Sequence, residues 1–378
     1  MDRRHFFKVS AAGIAGLSLS GGFSPLLARK SADGRYSIVI LGDTHYDAAD
    51  PEKYHAGYTD PNPKREALHR KEFTRNGNMW AGRCRQLVKR AACLVDEETK
   101  MVFQMGDLIQ GDTASAAIHT QFLSDAMDLF KSDLAPDLPF VTVAGNHDLR
   151  GNDDAVVSKA YADYMPARLS KELGQEISGT NFQFRCGPDA FVFINFSKPD
   201  VPEIKRLLAE TDGARHTFVV VHSPVFPFDD AKYFWWFLLG GRKDPRPEER
   251  REIRALLARH NAIVLCGHTH NTEFLDWRGD GGRITQMTMS SVWAKPEQGS
   301  YTELASGPEA YGTLLFEKNP ELRTEANLAL FDEYRKGLQA YSTADAAGSY
   351  KLFVDGKRVW VDFYAGDSPR LSKRFQLR

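Results

Sequence analysis

Cysteine is scarce in this chain. It has four, Cys84, Cys93, Cys186 and Cys266, and none forms a CxxC pair. That excludes a disulfide scaffold and a cysteine-rich structural zinc site. Cys266 lies in an apolar run and reads as a buried thiol. Cys84 and Cys93 fall on nearly opposite faces of an expected helix. Net charge is lacking too: 49 basic against 50 acidic side chains leave −1, which removes bulk charge as a reason to bind nucleic acid or a membrane surface. A local basic patch remains possible, and the strongest candidate runs over residues 64–90, with few acids among its bases. Internal repeats and low-complexity tracts are absent. At 42% apolar and 26% charged, the composition is globular and sufficient for a large core.

The first residues lack the length of a membrane span. Arg3-Arg4 precede Phe6-Phe7-Lys8 and a weakly apolar run at 9–23, with Leu26-Leu27-Ala28 beyond it. This pattern reads as an export signal, and the paired arginines resemble a twin-arginine signal, a route for proteins already folded. The alternative is a basic tail ahead of a hydrophobic anchor. No cysteine precedes Cys84, which excludes a lipoprotein anchor. Residues 1–30 are therefore set apart as a signal, and the protein is expected in the periplasm or another extracytoplasmic space, without a stable anchor after cleavage.

What the chain does have is one arrangement repeated five times. Apolar runs at 37–41, 101–105, 140–144, 217–221 and 262–266 read as buried strands. The first is followed by Gly42-Asp43-Thr44-His45, the second by Gly106-Asp107 and the third by Gly145-Asn146-His147-Asp148. The fourth is followed by His222 and the fifth by Gly267-His268-Thr269-His270. A single Gly-Asp is an ordinary turn. Five strand ends that all carry Asp, Asn or His are a site, because ligands in open α/β layers bind outside the carboxyl ends of strands.

Between these ends, 46–78 reads as a polar insertion without periodicity. Helices are expected at 80–98, from Thr113 or Ser115 through Phe130, near 156–164, at 201–209 and at 247–260. A hairpin is expected at 181–196, further strands at 282–293 and 311–316, a helix at 328–341 and a closing hairpin over 351–364. The aromatic segment 223–241, with Trp235 and Trp236, is either a packing element or a lid beside His222. His55 and His69 lie in the insertion, where they are solvated, structural or in reach of substrate. His119, His216 and His260 read as solvated or satisfied in the core.

Asp43, His45, Asp107, Asn146, His222, His268 and His270 exceed the ligand set of one tetrahedral zinc. They suit two neighbouring ions with one bridging carboxylate, and imidazole with carboxylate favours Mn, Zn, Fe or Co. In this order the motifs resemble those of the calcineurin-like metallophosphoesterases, from Asp43 to His270. The resemblance implies an α/β fold, a four-layer α/β/β/α sandwich of two mixed sheets flanked by helices. It places the core at 31–300, with 301–378 as a C-terminal helix and hairpin extension packed on it. It implies that Asp43, His45 and His270 hold one metal, that Asn146, His222 and His268 hold the other, and that Asp107 bridges them. His147 would face the phosphate, with Asp148 orienting it.

The implied activity is hydrolysis of a phosphate mono- or diester by a metal-bridging hydroxide. The alternatives are a pyrophosphohydrolase or nuclease on the same core, or a binding protein without turnover. The implied partner is a phosphorylated small molecule or ester, with nucleic acid the less favoured substrate and the oligomeric state open. Purple acid phosphatases carry a tyrosine three residues after the bridging aspartate. Here that position is Gln110, so the purple variant is not expected.

Overall fold

The computed structural model describes residues 34–134, 136–197, 199–240, 246–292 and 300–378. The expected export signal lies outside them. Three parallel strands, β1 (Tyr36–Leu41), β2 (Thr99–Gln104) and β3 (Phe140–Thr142), begin the first sheet. The second sheet takes β4 (Phe182–Cys186), β5 (Asp189–Ile194), β6 (Thr217–Val221), β7 (Ile263–Cys266), β8 (Thr272–Gly279), β9 (Gly282–Thr288), β10 (Glu303–Ser306) and β11 (Leu338–Ala344). The chain then returns to the first sheet with β12 (Gly348–Asp355), β13 (Arg358–Ala365) and β14 (Lys373–Gln376), and β12 lies antiparallel beside β1. Residues beyond 300 thus supply strands to both sheets.

Helices cover the outer faces: α1 (Glu52–His55), α2 (Pro63–Met79), α3 (Arg85–Ala92), α4 (Ala116–Leu134), α5 (Asp154–Leu173), α6 (Val201–Ala209), α7 (Pro247–Arg259), α8 (Thr313–Lys318) and α9 (Glu325–Arg335). Phe103 of the first sheet meets Phe191 and Phe193 of the second at 5.5 and 5.3 Å, which marks the shared core. A second apolar cluster lies between the second sheet and α6, α7, α9 and the aromatic segment. The architecture is two mixed sheets flanked by helices.

Four expectations need correction. The insertion after β1 is helical. Asn62 caps α2 by accepting from the Lys64 and Arg65 N–H groups, and Pro63 takes the first turn. Its buried face holds His69, Phe73, Asn76 and Gly77, so the stripe is too polar for apolar periodicity to reveal. A π-helical turn, Trp80–Cys84, joins α2 to α3, so the helix expected from Trp80 begins 17 residues earlier and ends at Ala92. The strand expected at 311–316 is instead α8, whose first N–H groups, Leu314 and Leu315, are capped by the distant Asp229 carboxylate. The helix expected to reach Tyr341 stops at Arg335, and β11 follows. At Gly337 a Cβ would collide with the Trp277 indole, so the chain turns there on glycine.

Candidate metal centre

The carboxyl ends of β1, β2 and β3 meet those of β6 and β7 at one edge of the two-sheet core, and the seven candidate ligands converge there. Asp43 Oδ2 lies 3.0 Å from His270 Nε2 and 3.9 Å from His45 Nε2. The two imidazole nitrogens are themselves 3.1 Å apart. On the other side, His222 Nε2 lies 3.1 Å from His268 Nδ1 and 3.3 Å from Asn146 Oδ1. Between the two sides stands Asp107, whose Oδ2 is 3.7 Å from His45 Nε2 and 3.4 Å from His222 Nε2.

The local backbone explains why these residues can converge. His45, Asp107, His268 and His270 all have positive φ, at 41°, 52°, 74° and 58°. A residue other than glycine held there costs on the order of 1–3 kcal/mol, and such strain gathers at functional sites. Hydrogen bonds hold the turns: the Thr44 and His45 N–H groups donate to the Asp107 carbonyl, and the His268 N–H donates to Asp43 Oδ1 at 2.9 Å. The motif glycines make room. A Cβ at Gly106 would come 2.5 Å from His222 Nδ1, and one at Gly145 or Gly267 would strike the carboxylate of Asp107 or Asp43.

The electrostatics follow from burial. Burial alone lowers the His222 pKa, but the Asp107 and Asp43 carboxylates outweigh it and push it up to about 9. Burial and neighbouring imidazoles hold His45 and His268 well below the ordinary histidine value. His222 Nδ1 donates to the Met105 carbonyl at 2.7 Å, which fixes the tautomer and presents Nε2 to the cluster.

The donor set fits metal ions. Imidazole nitrogens 3.1 Å apart repel through their lone pairs unless a proton or a cation lies between them. Here two such pairs are flanked by carboxylates. Asp43, His45 and His270 form one group able to hold a cation, and Asp107, His222 and His268 form another. Asp107 also joins a third group with His45 and His147.

Asp148 does not orient His147. Its carboxylate is buried and accepts from the Ile109 N–H at 3.0 Å and the Gly145 N–H at 2.9 Å, pinning the loops after β2 and β3 together. Burial first, and Asp107 second, raise its pKa to about 7. The ring of His147 is held by the Gln110 carbonyl, which accepts from Nδ1 at 2.8 Å. Burial and then Arg150 depress the His147 pKa.

Two walls flank the cluster. One is polar: the buried Asp112 accepts from Arg150 Nη2 at 2.6 Å and lies 3.1 Å from His69 Nδ1, while Glu72 takes the same Arg150 nitrogen at 3.1 Å. His55 bridges the Asp112 carbonyl and Asp47, and His69 meets the Tyr58 hydroxyl at 2.6 Å. Both insertion histidines are therefore structural. Gln110, in the same wall, donates to Asp112 and accepts from Asn76. The other wall is aromatic: Tyr233 and Trp236 lie 5.3 and 5.4 Å from the His268 ring, and Phe196 lies 5.4 Å from His222.

The buried Gln104 escaped the sequence reading. Its amide donates to the Gly42 and Gly106 carbonyls and accepts from the Gly106 N–H, tying two ligand turns together. A lone polar residue inside an apolar strand was the available signal. Arg150 was missed as well, and only its place just after the third motif pointed to it.

A family model described as Calcineurin-like phosphoesterase matches residues 36–272. Among solved structures, purple acid phosphatase PPD1 from yellow lupin (Lupinus luteus) seeds is similar at a TM-score of 0.53 and 13% identity, covering 91% of this chain and 54% of that one. The chain thus spans about half of the lupin protein's length. A structure titled PhoD is similar at a TM-score of 0.52 and 10% identity, covering 91% of this chain and 68% of that one. At these identities the likeness is one of fold. No curated protein sequence matches. Among the described residues no helix is long and apolar enough to cross a membrane.

Proposed function

The chain belongs to the calcineurin-like phosphoesterase family, a metal-dependent phosphoester hydrolase, and on that premise we propose that it is an exported enzyme with a two-metal centre that hydrolyses a phosphate mono- or diester. The observation that supports two metals is the single oxygen Asp107 Oδ2, which faces His45 at 3.7 Å and His222 at 3.4 Å. Asp43, His45 and His270 would hold one ion; Asn146, His222 and His268 would hold the other, and Asp107 would serve both. Two ions of the Mn, Zn, Fe or Co type, when bound, supply Lewis acidity toward phosphoryl oxygens and make a nucleophile of water at neutral pH.

The protein's own part is positioning. The Gln110 backbone carbonyl accepts from Nδ1 of His147, which leaves Nε2 as the nitrogen that, when protonated, donates to a phosphoryl or leaving oxygen. Arg150 follows on the same turn and is held by Asp112 and Glu72, so its guanidinium is fixed in place beside the cluster. The Gln110 side chain is engaged with Asn76 and Asp112.

Asp107→Asn tests the reading. Elemental analysis should find both ions lost together, and loss of one alone would remove Asp107 from the bridging place. His147→Ala should keep both ions and lose about 10²–10⁴-fold in rate on an alkyl phosphate, and much less on a p-nitrophenyl ester, whose leaving group needs little protonation. Equal losses would leave His147 a phosphate-positioning residue. Export rests on Arg3-Arg4. Replacing both with lysine should leave the precursor in the cytoplasm, and unchanged export would point to another route.

A further inference from the structure

The segment that follows His222 divides its aromatic side chains into two jobs. Phe234, Phe237, Leu238 and Leu239 are buried and root the segment in the second apolar cluster. Tyr233 and Trp236 belong to neither apolar cluster and stay half-buried, with their rings turned to the histidines. Tyr233 lies 5.3 Å from the His268 ring and 6.2 Å from that of His270, and His270 is the more exposed of these ligands. Trp236 lies 5.4 Å from His268, and Trp235 stands behind it at 4.6 Å.

The backbone fixes these rings. The Ser223 hydroxyl donates to the Trp236 carbonyl at 3.1 Å, and the Leu238 N–H donates to the Pro224 carbonyl at 2.8 Å. Lys232 places Nζ 2.7 Å from the Tyr233 hydroxyl, a cation at the rim. The same Nζ lies over the Tyr233 ring, 4.7 Å from its centroid, so a cation already rests on that ring, and the half-buried Tyr233 and Trp236 stand side by side with the ligand histidines.

We propose that Tyr233 and Trp236 form a stacking platform for a planar heteroaromatic leaving group, so that the ester cleaved is of nucleotide type. The phosphoryl group would sit at the ligand cluster and the ring against the His268 side. This rests on the phosphoesterase reading above and adds the class of its substrate. Stacking of one base on an aromatic side chain is worth on the order of 5–150-fold in affinity.

The test uses the metal-loaded full chain and two probes that it cannot hydrolyse: the phosphonate analogue of adenosine monophosphate and ethylphosphonate, which has no ring. Calorimetry and tryptophan fluorescence report binding without turnover. The ring-bearing phosphonate should bind about tenfold or more tightly than ethylphosphonate and quench tryptophan emission. Trp236→Ala should bring the ratio of affinities close to one, and Trp236→Phe should keep most of it. Equal affinities in the native protein would overturn the platform, as would an undiminished ratio in both Trp236→Ala and Tyr233→Ala. If those variants do not fold, the native ratio and the quenching decide alone. If neither phosphonate binds while adenosine still quenches, the platform stands and the phosphoesterase reading fails.

Discussion

The two walls of the centre are built on opposite principles. The polar wall is held by charge: Asp112, at 0% exposure, faces the half-buried Arg150 and the buried His69 and Gln110, and it depends on them to stay buried. The aromatic wall is held by apolar burial, through Phe234, Phe237 and Leu238. A charge network fixes angles but fails when one partner is removed, because the remainder is left buried and unpaired. Apolar burial is non-directional and indifferent to pH. The polar wall is therefore suited to set the Arg150 guanidinium and, through Gln110, the ring of His147. The aromatic wall is suited to offer surface.

The largest effect that separates the walls should come from Asp112→Asn, with a loss of about 4 kcal/mol at neutral pH, measured by urea unfolding. Burial alone would raise the Asp112 pKa, but Arg150 and His69 outweigh it and hold it well below its ordinary value of 3.8. A depressed carboxylate contributes stability above that ordinary value and loses it as the pH falls through the folded one. The gap between native protein and variant should therefore hold steady above about pH 4 and shrink below it. A gap constant down to pH 2 would remove charge as the wall's organising force.

Phe237→Ala should cost somewhat less, about 3 kcal/mol, and equally at pH 4 and pH 8. Its cationic neighbour is Arg250, 5.5 Å from the ring. A pH-dependent loss would show that the aromatic wall also leans on titrating groups. The smallest effect belongs to Tyr54→Phe. The Tyr54 ring stacks on Phe122 at 3.7 Å and its hydroxyl donates to Asp125 at 2.6 Å. Keeping the ring and losing the hydrogen bond should cost about 1 kcal/mol, with metal content unchanged. A larger loss would show that the tie from α1 to α4 holds more than one hydrogen bond's worth of the fold.

The same contrast explains what could be read from the sequence. Apolar strands that end in Gly-Asp, Gly-Asn-His or Gly-His-x-His show themselves, because burial and turn chemistry are local. The hairpin of β4 and β5 and the helix α6 showed themselves for the same reason. The polar wall did not. The face of α2 that carries His69, Asn76 and Gly77 inward has no apolar stripe, and its partners, Gln110 and Arg150, lie in other segments. The start of α8 was hidden likewise, since its cap comes from Asp229. The orientation of His147 was misjudged because Asp148 is its neighbour in sequence, whereas Gln110 is its neighbour in space.

One pairing described above sets a timetable. Tyr36 of β1 is matched with Val354 of β12, so the strand that leads into Asp43 and His45 keeps one bare edge until β12 has been made. At about 5–20 residues per second, roughly 15 to 60 s separate the synthesis of the two strands. During that interval β1 is a template for any other extended chain. The sheet that carries the centre is completed only after β12 is made, and conditions that slow translation or crowd nascent chains should lower the soluble yield before they touch the folded protein.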